Sequence, residues 1–148
     1  MKAMAELLFK QESYIIQGGC FEVYKQFRNR HKEKVYTRAL LGYFKNKGLL
    51  VETEKQIPIY FSNRETDAKP DAELSRSLIK VGVYIPDIVI NNCIFLELKC
   101  KPVITKDDIK QFWYYLKATK YKLGYLINFG TPNGVKIIRR VYDTARKI

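Results

Sequence analysis

Apolar residues recur at helical spacing along the first third of the chain. Residues near 5 to 28 show one such pattern, which predicts a helix. Gly18 and Gly19 interrupt it, and they either ease a close contact with a second helix or mark a break. A further helix is predicted from about Lys32 to Lys47, with Gly48 as its C-terminal cap.

The pattern becomes β-type after Gly48. Leu49 to Phe61 is rich in Val, Ile and Tyr at its ends, which predicts a strand. Ser62 to Lys80 is polar and contains Pro70, so it predicts a long loop that holds at most a short helical turn at Ala72 to Leu78. Val81 to Ile90 then predicts the next strand.

The last part of the chain predicts a hairpin, a helix and two more strands. Asn91-Asn92 tolerates positive φ and joins two apolar runs as a tight turn. Thr105 is a suitable N-cap, and Asp107 and Asp108 favour the first turn of the helix that follows. The segments are Cys93 to Cys100, a helix from about Lys106 to Thr119, and strands Leu123 to Phe129 and Val135 to Val141 around a turn at Gly130 to Gly134. The order α-α-β-β-β-α-β-β predicts an α/β fold, a mixed β-sheet flanked by helices in a single domain over residues 1–148.

Charge narrows the class of partner. The chain of 148 residues has 27 Lys and Arg against 15 Asp and Glu, a formal net charge of +12. Such an excess favours a polyanion, and we expect nucleic acid rather than an anionic membrane because no basic amphipathic helix is visible. No apolar run approaches the ~20 residues of a membrane span, and the first residues lack a signal peptide's apolar core, so we expect a cytoplasmic protein.

Cysteine and histidine usage limits the chemistry. Cys20, Cys93 and Cys100 are odd in number and lack metal-ligand spacing, which is typical of reduced thiols. His31 is the single histidine, so neither a His-rich zinc site nor a Ser-His-Asp triad is favoured. A metal would need oxygen ligands, which favours Mg²⁺ or Mn²⁺.

Two predicted strands each contain an acid among apolar residues. Asp87 lies in Ile85 to Ile90 and Glu97 in Ile94 to Lys99, and an ionised carboxylate in such a run must be paired, hydrogen-bonded or bound to a metal. Glu97 and Lys99 are two apart, so their side chains share a face about 7 Å apart. Two carboxylates and one ammonium on one face suit metal-assisted phosphodiester hydrolysis. The alternative is structural, with Glu97 paired to a lysine and Asp87 to an arginine.

The ordered motifs resemble a known family. The chain is similar to PD-(D/E)XK nucleases and, within that superfamily, to GxxExxY proteins. The resemblance covers roughly residues 13 to 140, and Arg30 stands where the family name has its first glycine. The matching stretches are Cys20 to Tyr24, Glu33 to Tyr36 with Ala39-Leu40, Ile57 to Tyr60, Pro86-Asp87, Glu97 to Lys99, Gln111 to Tyr115, and Leu123 to Gly130.

The resemblance implies a restriction-endonuclease-like core and assigns roles. Asp87 and Glu97 would be the principal metal ligands, Glu33 would complete the site from a helix, and the carbonyl of Leu98 could be another ligand. Lys99 would be the catalytic lysine. In the same reading Gln111 helps to orient the site, and Tyr115, one helical turn further on, contacts substrate.

Simpler interpretations stay open for several of these residues. Glu33 could pair with Lys34 or Arg30 near a helix start, Tyr36 is better suited to the core, and Gln111 could be an ordinary surface residue. The aromatic run from Trp113 to Tyr115 could stack bases, although core packing is the commoner use. Basic residues surround the proposed centre, and among them Arg30 and Lys101 are candidates for substrate binding.

Three functions follow in order of preference. The first is a Mg²⁺- or Mn²⁺-dependent nuclease acting on nucleic acid, with DNA favoured. The second is a catalytically inactive module that binds nucleic acid or protein on the same scaffold. The third is an interaction domain whose basic surface docks an acidic protein. Metal binding separates the first from the others, and salt-dependent DNA binding separates the second from the third.

Overall fold

A computed structural model describes residues 8–62 and 78–143 of the chain. Three helices and seven strands make up these two segments. None of the described helices combines the length and apolar character that crossing a membrane requires. In chain order the elements are α1 (Lys10–Phe27), α2 (Glu33–Asn46), β1 (Val51–Glu52), β2 (Ile57–Ser62), β3 (Leu78–Tyr84), β4 (Ile88–Ile90), β5 (Ile94–Lys99), α3 (Lys106–Ala118), β6 (Leu123–Asn128) and β7 (Lys136–Val141).

The main sheet has five strands in the order β1-β4-β5-β6-β7. Strand β5 pairs antiparallel with β4 and parallel with β6, and β6 pairs antiparallel with β7. The parallel pair requires a crossover, which α3 provides. The mixed sheet with helices on its faces confirms the predicted α/β class.

Alternating side chains divide the core between the two faces of the sheet. In β5, Ile94, Leu96 and Leu98 pack in the cluster that contains α1 and α2, whereas Phe95 packs with α3. This is the period of two expected when both faces of a strand are covered. By the same parity, Glu97 lies on the face of Phe95.

The two helices before the sheet pack closely because Gly19 has no side chain. A Cβ at Gly19 would come within 2.8 Å of the Tyr43 ring and 2.9 Å of the Phe44 ring. Helix α1 continues through Gly18 and Gly19, so the close contact is the correct alternative and the break is wrong. Helix α2 ends before Gly48, whose φ of +83° suits glycine.

Two predicted strands are each divided in the structure. Leu49 to Phe61 forms β1 and β2 in different sheets, because the chain turns at Glu54, where φ is +57°. Val81 to Ile90 is also not one strand, because Pro86 lies between β3 and β4 and has no N–H to donate to a neighbouring strand. Strands β2 and β3 consequently form a separate antiparallel pair.

The predicted loop from Ser62 to Lys80 is partly wrong. Ser62 ends β2, and Leu78 to Lys80 begin β3, so both ends of the predicted loop belong to strands. The remainder of that loop, including the proposed turn at Ala72 to Leu78 apart from Leu78 itself, lies outside the described residues.

Two local predictions are confirmed in detail. Asn91 and Asn92 have φ of +50° and +54°, as the hairpin between β4 and β5 requires. Thr105 caps α3 through a reciprocal pair of hydrogen bonds with Asp108, at 3.1 Å and 2.9 Å.

The ends of β5 and β6 are joined by a buried amide. Asn128 accepts hydrogen bonds from the N–H groups of Lys101 and Gly130, each at 3.0 Å, and donates to the Lys101 carbonyl at 2.8 Å. A Cβ at Gly130 would lie 2.2 Å from the Lys101 backbone nitrogen. The backbone leaving β5 is therefore fixed against β6 immediately after Lys99.

We expect Gly130→Ala to destabilise the protein by about 3 kcal/mol, the upper end of overpacking costs, because the clash is with backbone. Gly42→Ala is the matched control. Gly42 lies within α2 and a Cβ there meets nothing within 4 Å, so this change is expected to stabilise by about 0.5–1 kcal/mol. Urea unfolding of both variants measures the two effects, and equal stability of the two would contradict the packing described for Gly130.

Candidate active site

Asp87 and Glu97 are brought together by the β4–β5 pairing. Ile88 pairs with Leu96 and Val89 with Phe95, so the same register continued by one residue places Asp87 opposite Glu97. Both acids are half-buried. The sequence-based prediction that the hairpin unites these carboxylates agrees with this register.

Each carboxylate accepts one strong hydrogen bond. The N–H of Leu98 donates to Asp87 Oδ2 at 2.7 Å, and the hydroxyl of Tyr84 donates to Glu97 Oε1 at 2.6 Å. Within residues 8–62 and 78–143, Asp87 Oδ1 and Glu97 Oε2 accept no hydrogen bond, and neither acid forms an ion pair. The alternative in which Glu97 pairs with a lysine and Asp87 with an arginine is therefore wrong for the described part of the chain.

Burial and mutual repulsion favour the protonated form of these acids. The pKa of Glu97 is raised to about 7, chiefly by burial and further by the charges of Asp87 and Glu33, against the Tyr84 hydrogen bond and the charge of Lys99. Burial also raises the pKa of Asp87, although the Leu98 hydrogen bond and Lys99 oppose this. A bound cation would reverse the effect by stabilising both carboxylates in their charged form.

Lys99 is near the acids without contacting any of them. Its positive charge opposes the rise in pKa of Asp87, Glu97 and Glu33 alike. Within the described segments, its ammonium forms no ion pair. It lies two residues after Glu97 on β5 and by parity on the same face, so it is available to a ligand that reaches the carboxylates.

Glu33 approaches the same region from α2. It begins the helix after a corner in which the Tyr36 hydroxyl donates to the Arg28 carbonyl and accepts from the His31 N–H at 3.2 Å. Glu33 and Asp87 line one groove of ≈ 570 Å³. Desolvation and the charge of Asp87 raise the pKa of Glu33, although solvent screens this effect because the residue is exposed.

The oxygen ligands fit a hard cation held by two carboxylates. Among the described residues, no group of three or more His, Cys, Asp and Glu side chains converges into a ready-made metal site. Mg²⁺ does not need one, because it keeps several waters and commonly uses one or two carboxylates together with substrate phosphate. The free oxygens of Asp87 and Glu97 suit a Mg²⁺ ion bound in this way. Ligation by Glu33 and by the Leu98 carbonyl stays a prediction.

We expect the metal-free protein to lose stability as pH rises from about 4.5 to about 7. Glu97 has a pKa of about 7 in the folded state, above its ordinary value of 4.5, so the folded state holds a proton that the unfolded state has lost. The free energy of unfolding therefore falls across this range and levels off above it. Urea unfolding in EDTA at several pH values measures this, and Glu97→Gln should flatten the curve. A wild-type curve that rises over the same range would contradict the burial assigned to Glu97.

Tyr84 is a residue of the site that the sequence analysis missed. Besides donating to Glu97, its ring stacks on Tyr115, with centroids 3.9 Å apart and planes 10° from parallel. Tyr115 is thus linked to the carboxylates through Tyr84. The signal available in the sequence was a tyrosine between aliphatic residues of a strand, three positions before Asp87.

The other predicted residues form no hydrogen bond or ion pair with Asp87 or Glu97 within the described segments. Gln111 is exposed on α3 and its side chain makes no hydrogen bond within the described segments, in agreement with the surface alternative. Lys101 binds Asp108 at 2.7 Å, and this contact is the main reason that the pKa of Asp108 falls to about 2. Arg30 is exposed in the corner before α2.

The aromatic residues divide between core and surface. Tyr36 is fully buried and stacks on Phe129 at 4.5 Å, which confirms its core role. Trp113 packs edge-on against Tyr142 at 5.8 Å, whereas Tyr114 is exposed. Base stacking by this run stays a prediction for Tyr114 and Tyr115.

Comparison with known proteins agrees with this geometry. A family model described as the PD-(D/E)XK nuclease superfamily matches residues 10–141, which include every helix and strand described above. No curated protein and no solved structure matches the chain. The match covers most of the chain and spans Asp87, Glu97 and Lys99, so the protein belongs to the PD-(D/E)XK nuclease superfamily.

Proposed function

We propose that this protein is a metal-dependent nuclease that hydrolyses phosphodiester bonds in nucleic acid. The observation that carries the proposal is the pairing of two half-buried carboxylates, Asp87 and Glu97, beside a lysine that forms no ion pair in the described part of the chain. Such a pair is costly to bury without a cation. Membership of a nuclease superfamily supports the same conclusion.

Each side chain has a distinct task in this proposal. Asp87 and Glu97 would hold Mg²⁺ or Mn²⁺, which supplies a Lewis acid and lowers the pKa of water. Lys99 stabilises negative charge that develops on the phosphate. Tyr84 holds Glu97 through its hydroxyl, so that one carboxylate oxygen is oriented and the other stays free.

Finer assignments belong to the same proposal. The Glu33 to Tyr36 motif supports placement among GxxExxY proteins, with Arg30 as the departure from the family pattern. Gln111 is proposed to help orient the site, and Tyr115, Lys101 and Arg30 are proposed to contact substrate, with DNA as the favoured polymer. The three cysteines are free thiols, which supports a reducing, cytoplasmic location.

A cleavage assay tests the proposal. The full chain is incubated with single- and double-stranded DNA and RNA in Mg²⁺, Mn²⁺ or EDTA. The proposal predicts cleavage of at least one polymer in a divalent cation and none in EDTA. Absence of cleavage on every substrate, together with no cation bound in calorimetry, would instead favour a binding module on a nuclease scaffold.

A further inference from the structure

The groove that contains Glu33 and Asp87 continues along α2. Its α2 wall carries Lys34 and Arg38 beyond Glu33. The facing wall is formed by Thr53 and Glu54, at the turn between β1 and β2, and by Ile85 before Asp87. A ligand lying in this groove would therefore reach the carboxylates at one end.

The α2 wall presents two free cations. Lys34 and Arg38 are exposed, and neither forms an ion pair within residues 8–62 and 78–143. They are four residues apart, so they lie on one face of the helix about 6 Å apart along its axis. This spacing is comparable to that between successive phosphates of one strand. Lys34 and Arg38 are therefore placed to meet two successive phosphates of one backbone.

The facing wall has the opposite character. Glu54 forms no ion pair among the described residues and would repel phosphate, so the backbone of a bound strand must follow the α2 side. Ile85 is 52% exposed within the groove wall. An exposed aliphatic side chain opposite two cations suits a base whose face is accessible, and the faces of bases are hidden in a duplex.

The size of the groove also favours a short piece of a single strand. Its volume of ≈ 570 Å³ is that of a pocket for a small organic molecule, which has room for one or two nucleotides. A groove of this size accommodates a short piece of one strand beside Glu33 and Asp87.

We propose that this groove binds a single strand of nucleic acid, with its phosphates on Lys34 and Arg38 and a base against Ile85. The substrate class is then single-stranded nucleic acid, or a single-stranded end or flap. This inference rests on the proposed nuclease function, because a strand in the groove would be a substrate only if Asp87 belongs to a catalytic site.

Binding in EDTA tests the inference without requiring cleavage. Fluorescence anisotropy is measured with a labelled single-stranded DNA and with a hairpin duplex of the same length. We expect wild type to prefer the single strand. We expect the double variant Lys34→Gln/Arg38→Gln to bind it roughly 10–100-fold more weakly, with a salt slope lower by about 1.4, which corresponds to two lost phosphate contacts.

The matched control is Lys45→Gln/Lys136→Gln, which removes the same charge from exposed residues outside the groove. Its affinity should stay close to that of wild type. Equal weakening in both double variants, stronger binding of the duplex, or no binding at all would overturn the inference. If wild type cleaves in Mg²⁺ but the groove variant binds normally, the inference fails and the nuclease proposal stands. If the groove variant binds more weakly but wild type cleaves no substrate, the groove inference stands and the nuclease proposal fails.

Discussion

Replacing Asp87 by asparagine is expected to abolish cleavage while leaving the fold intact. Asparagine has nearly the same shape, and its carbonyl oxygen can still accept the hydrogen bond from the Leu98 N–H. It cannot supply the negative charge that a divalent cation requires. A cation of this kind contributes several kcal/mol of transition-state stabilisation, so we expect the rate to fall on the order of 10³-fold or more.

The same substitution should not lower stability in the absence of metal. Burial raises the pKa of Asp87, which means that folding disfavours its ionised form relative to the unfolded chain. Asparagine removes that cost and the repulsion of Glu97. The melting temperature in EDTA at pH 8 should equal or exceed that of wild type. Asp107→Asn, at an exposed position on α3, is the control for cleavage, and retained cleavage in Asp87→Asn would contradict the assigned site.

Lys99→Ala is expected to reduce cleavage by about 10²–10³-fold, the usual effect of removing one electrostatic contact to a developing charge. The reason is that the Lys99 ammonium forms no ion pair in the described part of the chain, so its charge remains available to substrate. Single-turnover rates in saturating Mg²⁺ measure the effect.

Metal binding should respond to Lys99→Ala in the opposite direction. The positive charge of Lys99 opposes a cation at Asp87 and Glu97, so its removal should leave cation affinity equal or higher. Lys110→Ala, an exposed lysine on α3, is the control and should cleave like wild type. Loss of both cation binding and cleavage in Lys99→Ala would indicate a structural role for the lysine instead.

Local signals account for the parts of the fold that the sequence predicted well. The Asn91-Asn92 turn and the Thr105 cap depend on neighbouring residues, and both are present in the structure. The crossover by α3 followed from the alternation of strand and helix. These features need no knowledge of distant contacts, which is why composition and periodicity were sufficient.

The missed strand boundaries depend on long-range pairing. Nothing local distinguishes Val51–Glu52 from Ile57–Ser62 as parts of different sheets, because each is defined by its partner, β4 in one case and β3 in the other. Pro86 was visible as an interruption, yet the apolar run continued on both sides of it. The sheet to which a strand belongs is set by tertiary contacts, which a short stretch of sequence does not reveal.

The candidate site divides in the same way. Asp87, Glu97 and Lys99 were predicted because they are acids and a lysine in apolar strands joined by a short turn. Tyr84 was missed because its contact with Glu97 spans two different sheets. The salt bridge of Lys101 with Asp108 was equally invisible, since it depends on how the chain turns before α3.

Mn²⁺ binding, measured by calorimetry at pH 8, tests whether Asp87 and Glu97 together hold a divalent cation. Wild type is titrated beside Asp87→Asn and Glu97→Gln, each shown to be folded by its melting temperature. We expect wild type to bind Mn²⁺ and both variants to lose this binding. Equal Mn²⁺ affinity in wild type and in both folded variants would contradict it.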